Sequence, residues 1–179
     1  MPVEPLPDWL LRELRSDHAG ETGAIWIYRG ILAINRVPEV QAFAERHLLT
    51  ELRHLREMRA LLAPEHRSHL ILVWRIAGFV TGALSAFCGP RTVFHTIEVI
   101  EAFVEQHYQQ QINKLQPLDE LSRELATVRA VLVECRSDET MHRNEATRNA
   151  TLPPGALTRI WGSVVTFGSR AAVILARRF

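Results

Sequence analysis

The sequence predicts an all-α fold: a four-helix bundle with a long helical crossover between helices two and three and an apolar helix at the C-terminus. Apolar residues recur at three and four residues rather than alternating, which is the period of helices and not of strands. Prolines and short polar clusters punctuate the periodic stretches, and the chain of 179 residues is the length of one ordinary domain, 1–179.

The first helix is expected over about 9–35, with Asp8 placed to cap it and Asn35-Arg36-Val37-Pro38 ending it. Pro38 then opens the second helix, because a missing N–H costs nothing at the first helical position, and that helix runs to about Leu62 before Pro64. Gly89-Pro90 opens the third, which reaches about Leu115 and stops at Gln116-Pro117. Asp119 is placed to cap the fourth, which continues to about Arg148 ahead of Pro153-Pro154-Gly155.

Two further stretches are apolar nearly all round: 69–88, and the C-terminal run from Ile160. The first is almost long enough to span a bilayer, but Arg75 near the centre of a spanning helix would cost about 2.5–3.5 kcal/mol. Contact with a membrane surface is therefore expected instead, with Arg75 and Arg170 reaching toward headgroups while the apolar faces enter the acyl boundary. The alternative is that both are core helices. Net charge argues against a nucleic-acid partner, since 21 Lys and Arg face 20 Asp and Glu. Cys88 and Cys135 are too few for a disulfide framework. The opening residues lack a basic end followed by an apolar run, and they hold Glu4 and Asp8 with no arginine before Arg12. A secretory signal or mitochondrial presequence is not expected there, which predicts an intracellular chain, bacterial or already processed.

The chemistry-bearing residues are carboxylates and imidazoles. Glu51-x-x-His54 and Glu139-x-x-His142 each place an acid and a base three residues apart, on one helix face and within reach of one ion. Glu21 lies 15 residues before Arg36 in the first turn and Glu51 lies 15 after it, so the two stand level on antiparallel helices. Glu101 and Glu139 flank the 117–120 turn in nearly the same way. The order Glu, Glu-x-x-His, Glu, Glu-x-x-His is the one from which ferritin-like bundles build a site for two iron or manganese ions. Ile97, Val104 and Tyr108 share a stripe with Glu101, which predicts a buried carboxylate needing positive charge. Glu98, Glu105 and His47 are near enough to assist, but each is expected as a solvated charge or a surface imidazole.

Asp17-His18-Ala19-Gly20-Glu21, followed by Gly23-Ala24 and Ile27-Tyr28-x-Gly30, resembles the demethoxyubiquinone hydroxylase family of ubiquinone biosynthesis. The likeness continues through Glu51-x-x-His54, Trp74 and Gly78, Glu101 with His107-Tyr108-x-x-Gln111-Ile112, and Asp138-Glu139-x-x-His142, covering about 10–178. The resemblance implies Glu21, Glu51, His54, Glu101, Glu139 and His142 as ligands of two Fe ions, and a role for His107 and Tyr108 in moving electrons or protons. Ala102, Gln106 and Arg143 stand where relatives often carry a further Glu and two further His.

What the family likeness implies is a monooxygenase that takes O2 and hydroxylates the ring of a polyprenyl methoxybenzoquinol, with NADH or the quinol itself supplying electrons. Expected partners are that quinol, a membrane surface on the cytoplasmic side of a bacterial cell, other proteins of ubiquinone biosynthesis, and a second copy of the chain. The alternatives are a ferritin-like ferroxidase or iron-binding protein, which shares the metal site but has no use for the apolar segments, and a non-catalytic quinone-binding scaffold.

Overall fold

Residues 6–118, 122–150 and 152–179 are described in the computed structural model of the chain. Among them are six α-helices and no strand: α1 (Asp8–Ile34), α2 (Pro38–Leu61), α3 (Ile71–Phe87), α4 (Pro90–Leu115), α5 (Arg123–Asn149) and α6 (Ala156–Ala176), with a 3-10 turn at Pro64–His66. Helices α1, α2, α4 and α5 form the ferritin-like bundle; α3 carries the crossover and α6 is the C-terminal apolar helix.

Two of the expected caps are corrected. Asp8 lies inside α1, and Pro7 precedes it without any side-chain cap. The Pro7 carbonyl receives the N–H groups of Leu10 and Leu11, so Asp8 contributes only a favourable charge in the first turn. Asp119 lies outside the described residues. Ser122 is the N-cap of α5, its Oγ accepting from Leu125 N at 3.4 Å. Pro38 and Pro90 take first-turn positions, and Gly89 reaches φ +100°, a conformation that L side chains rarely adopt.

Apolar packing divides the bundle into two clusters. One contains Tyr28 and Ile31 of α1, Phe43 of α2, Phe94 and Ile97 of α4 and Ala146 of α5. The other contains Leu10 and Leu14, Met58, Ile112 and Leu115, and Leu132 and Cys135. Along every bundle helix the Glu and His residues fall between the two clusters. A polar layer is thereby sealed above and below by side chains whose burial contributes about 1.5–3 kcal/mol each for the larger ones. The same order shows that α2 and α4 run in one direction and α1 and α5 in the other, so the chain must return between α2 and α4. Helix α3 makes that return.

Helix α3 lies against α1 with backbones nearly touching. A Cβ at Gly82 would overlap the Ile27 carbonyl, and one at Gly30 would overlap the Phe79 carbonyl. Helix α6 closes the remaining side, where Trp161 Nε1 donates to Thr96 Oγ1 at 2.9 Å and Arg177 donates to Glu13 Oε2 at 2.9 and 2.6 Å. No helix among the described residues is long and apolar enough to cross a membrane.

Candidate metal centre

Helix α1 supplies Glu21, α2 supplies Glu51 and His54, α4 supplies Glu101, and α5 supplies Glu139 and His142, all six buried. The structure brings them together as two overlapping groups. Glu21, Glu51, His54 and Glu139 each offer one donor atom, all within 4.8 Å of one another, and so do Glu51, Glu101, Glu139 and His142. Glu51 and Glu139 belong to both groups and would be shared between two ions, while Glu21, Glu101 and the imidazoles belong to one group each.

The fit to cations is visible in the polar atoms left without partners. His54 Nδ1 lies 3.1 Å from Glu139 Oε1, and His142 Nδ1 lies 3.2 Å from Glu51 Oε1 and 3.1 Å from Glu139 Oε2. Yet both Nδ1 atoms, with Glu21 Oε2, Glu51 Oε1 and Glu139 Oε2, are buried with no hydrogen-bond partner. Leaving so many polar atoms unmatched in a dry interior is costly, and a metal ion satisfies several at once. Four carboxylates balance the charge of two divalent ions. Carboxylate and imidazole without thiolate suit Fe or Mn.

Electrostatics without metal show what the ions would replace. Burial, reinforced by the Glu139 carboxylate, raises the carboxyls of Glu51 and Glu101 well above their usual range. Burial lowers His142, but its hydrogen bonds with Glu139 and Glu51 outweigh that and push it up to about 11. Glu139 moves the other way: burial raises it, and the two imidazoles pull it down to about 2. Glu51, Glu101 and His142 thus hold protons to higher pH in the folded chain than in the unfolded one. Their stabilisation of the metal-free fold is complete at acid pH and is lost as pH rises, for His142 through about 11. The contribution of Glu139 has the opposite sign, is present above its unfolded value and is lost only as pH falls toward about 2. Metal-free protein is therefore expected to melt at a lower temperature at about pH 9 than at about pH 6, and metal to be bound with proton release. Calorimetry in buffers of different ionisation enthalpy checks the second point, and uptake without protons would contradict it.

Groups behind the donors hold them in place. His54 turns Nε2 to Asp138 Oδ2 at 3.0 Å, leaving Nδ1 for the centre. Asp138 in turn pairs with Arg53. Asp138→Ala is expected to weaken metal binding about 10–100-fold, as loss of an outer carboxylate partner of a ligating imidazole does; metal titration of the variant measures it. Tyr28 Oη donates to Glu101 Oε1 at 3.0 Å, and Tyr108 Oη donates to Glu21 Oε1. His47 is not a surface imidazole: its ring lies 4.0 Å from that of His142, and its Nε2 pairs with Glu145 at 2.9 Å. Glu98 and Glu105 face outward, to His95 and Arg143. Ala102 and Gln106 are exposed on α4, away from the donors. His107 is one turn and a half beyond Glu101 and meets Asp17 rather than the centre, its Nε2 3.1 Å from Asp17 Oδ1. Tyr28, Asp138 and Asp17 carry no signal of their role at the level of spacing, because each acts across helices.

A cavity of about 410 Å³ opens onto this centre. Its floor includes Glu21, Glu51, Glu101 and Glu139, and its walls are Ile27, Trp74, Ile100, Val104 and Trp161 with the small residues of α3 and α6.

Residues 8–176 match the family of ubiquinone biosynthesis protein COQ7. The chain belongs to that family. Among its relatives, 3-demethoxyubiquinol 3-hydroxylase of Rhodospirillum rubrum is 30% identical over 99% of this chain and 82% of its own length. The mitochondrial NADPH-dependent 3-demethoxyubiquinone 3-hydroxylases of Mus musculus and Homo sapiens are 28% and 26% identical, over 94% and 93% of this chain and 77% and 76% of theirs.

Proposed function

We propose that this chain is a ring hydroxylase of ubiquinone biosynthesis, acting on a polyprenyl demethoxyubiquinol with O2 and two iron ions. The observation that carries the reading is the apolar cavity ending on the two overlapping donor groups, within a chain whose relatives are hydroxylases of this ring. Glu21, Glu51, His54 and Glu139 would hold one ion, and Glu51, Glu101, Glu139 and His142 the other. When bound, the metal pair supplies the activation of O2 with two electrons.

The chain's own residues do the rest. Tyr28 donates to Glu101 and Tyr108 to Glu21, the two carboxylates that belong to a single donor group each, and these bonds would hold them in place against swinging into the cavity. Asp138 fixes the ring plane of His54. The walls of the cavity exclude water from the reacting ring and give it an apolar bed, while Gly20 and Gly168, where a Cβ would meet nothing within 4 Å, leave width for a flat aromatic group. A ferroxidase has no need of such a cavity, so the hydroxylase reading is favoured over iron storage.

The substrate's tail gives the outer faces of α3 and α6 a purpose. Leu72, Ile76 and Phe87 on α3, with Leu157, Phe167 and Ile174 on α6, are exposed apolar side chains on the two helices that wall the cavity. Lying in the headgroup region, this surface would bring the cavity to the lipid in which the tail is dissolved. Phe167→Asp and Leu72→Asp are each expected to weaken binding to phospholipid vesicles roughly tenfold, because each removes one buried apolar side chain and adds a charge. Flotation measures it, and unchanged recovery with vesicles would contradict the placement.

The deciding experiment is quinone profiling by mass spectrometry in a strain lacking its own enzyme for this step. Expression of this chain is expected to remove accumulated demethoxyubiquinone. Persisting accumulation with the protein folded and iron-loaded would overturn the reading.

A further inference from the structure

The cavity wall holds a buried carboxylate that the metal centre does not use. Asp17 lies one helical turn before Glu21 on α1, about 6 Å along the axis, and lines the same cavity. Its Oδ1 accepts from Gln111 Nε2 at 2.9 Å and lies 3.1 Å from His107 Nε2. The His107 nitrogen also lies 3.3 Å from Ser16 Oγ, and that hydroxyl donates its own proton to the Glu13 carbonyl. Both oxygens facing His107 are therefore acceptors, so Nε2 carries a hydrogen. Asp17 Oδ2 has no partner although the residue is buried. Among the described residues lining the cavity, it is the only such side-chain atom outside the metal donors.

Most other polar side chains of the wall are already engaged; the Thr81 hydroxyl, half-buried on α3, makes no hydrogen bond with the described residues but is not sealed from solvent as Asp17 is. Tyr108 donates to Glu21, Ser169 to the Val165 carbonyl and Trp161 to Thr96. Burial raises the Asp17 carboxyl, while the N–H groups of His107 and Gln111 pull it back down. In its ionised form, with one oxygen held by these two donors, the other oxygen is an acceptor, and a buried acceptor without a donor is costly. A hydroquinone ring carries O–H donors at this end, whereas a quinone carries only carbonyl acceptors.

We infer that Asp17, held by His107 and Gln111, reads the redox state of the ring: its Oδ2 accepts a hydrogen bond from a ring hydroxyl, so the cavity takes the quinol over the quinone. This rests on the ring-hydroxylase reading and deepens it. With one ring oxygen held at Asp17, the rest of the ring extends toward Glu21 and the metal donors. Asp17 thereby orients the ring as well as selecting it. A carbonyl oxygen in the same place meets a carboxylate oxygen, and the two repel.

The test compares the affinities of a short-tail demethoxyquinol and its quinone for the ferrous protein without oxygen, read by quenching of Trp74 and Trp161 in the cavity wall. Wild-type protein is expected to bind the quinol roughly tenfold or more tighter, the ratio that a hydrogen bond to a charged group supports. Asp17→Asn keeps the shape but makes one position a donor, so the ratio is expected to fall to about one or invert. Gln111→Leu, which frees one side of the carboxylate, is expected to reduce the ratio less. Equal wild-type affinities, or a ratio unchanged in Asp17→Asn, would overturn the inference and leave the hydroxylase reading standing. If neither ligand binds the wild type, the hydroxylase reading falls with it. The wild-type ratio does not depend on whether any variant folds.

Discussion

Glu139→Ala is expected to abolish ring hydroxylation and to weaken both metal positions, whereas Glu21→Ala weakens only one. Glu139 belongs to both donor groups and Glu21 to a single group. Removing Glu139 also takes away the carboxylate nearest to His54 Nδ1 and one of the two nearest to His142 Nδ1, so both imidazoles lose orientation as well as charge. The loss of affinity at each position should exceed the roughly 10–100-fold that follows removal of an outer partner of a ligand. Turnover should drop by about 10³-fold or more, since metal polarisation is worth several kcal/mol and each 1.36 kcal/mol is tenfold. Metal analysis of purified variants separates the cases: one retained ion per chain in Glu21→Ala and none in Glu139→Ala. Equal retention in the two variants would contradict the bridging assignment.

Gly82→Val is expected to be the most destabilising change outside the centre. A Cβ at Gly82 would overlap the carbonyl of Ile27, and backbone within a helix cannot rotate aside as a flexible side chain can. Helix α3 would have to lift from α1, which separates Gly78 from Gly23 and opens the wall of the cavity on the side of Trp74. Overpacking of this kind costs about 3 kcal/mol or more when the obstacle is backbone. In a chain of this length that corresponds to a fall of roughly 6–12 °C in Tm. Thermal unfolding of the metal-loaded variant measures it. Gly168→Ala makes the control, because nothing lies within 4 Å of a Cβ placed there.

Much of the bundle was legible because the signals were local. Pro38 and Pro90 mark helix starts through their own backbone, and the three-and-four recurrence of apolar residues marks the lengths between them. The six donors were legible for a different reason: a turn halves each hairpin, so equal distances from Arg36 put Glu21 and Glu51 at one height. Capping was less legible. Asp8 has the right chemistry for a cap, but Pro7 already commits the backbone one residue earlier. The contact of α3 with α1 could not be read, because a glycine inside a helical pattern gives no hint of which backbone approaches it. Asp138, Tyr28 and Asp17 stand in the motifs that carry the family likeness, but their roles escaped for the same reason: their partners are 73 or more residues away along the chain. His47 is not legible from spacing, because a histidine four residues from a ligand is equally placed to face water, and only packing against Phe43 and His142 decides otherwise.

Four carboxylates and two imidazoles, sealed between two apolar clusters, are placed to hold a pair of ions at the end of the cavity. Anomalous diffraction at the iron edge, from crystals grown anaerobically with ferrous iron, locates such ions. Two peaks are predicted, one against Glu21, Glu51, His54 and Glu139 and the other against Glu51, Glu101, Glu139 and His142. A single peak at the surface, or none among these side chains in fully iron-loaded protein, would contradict this placement.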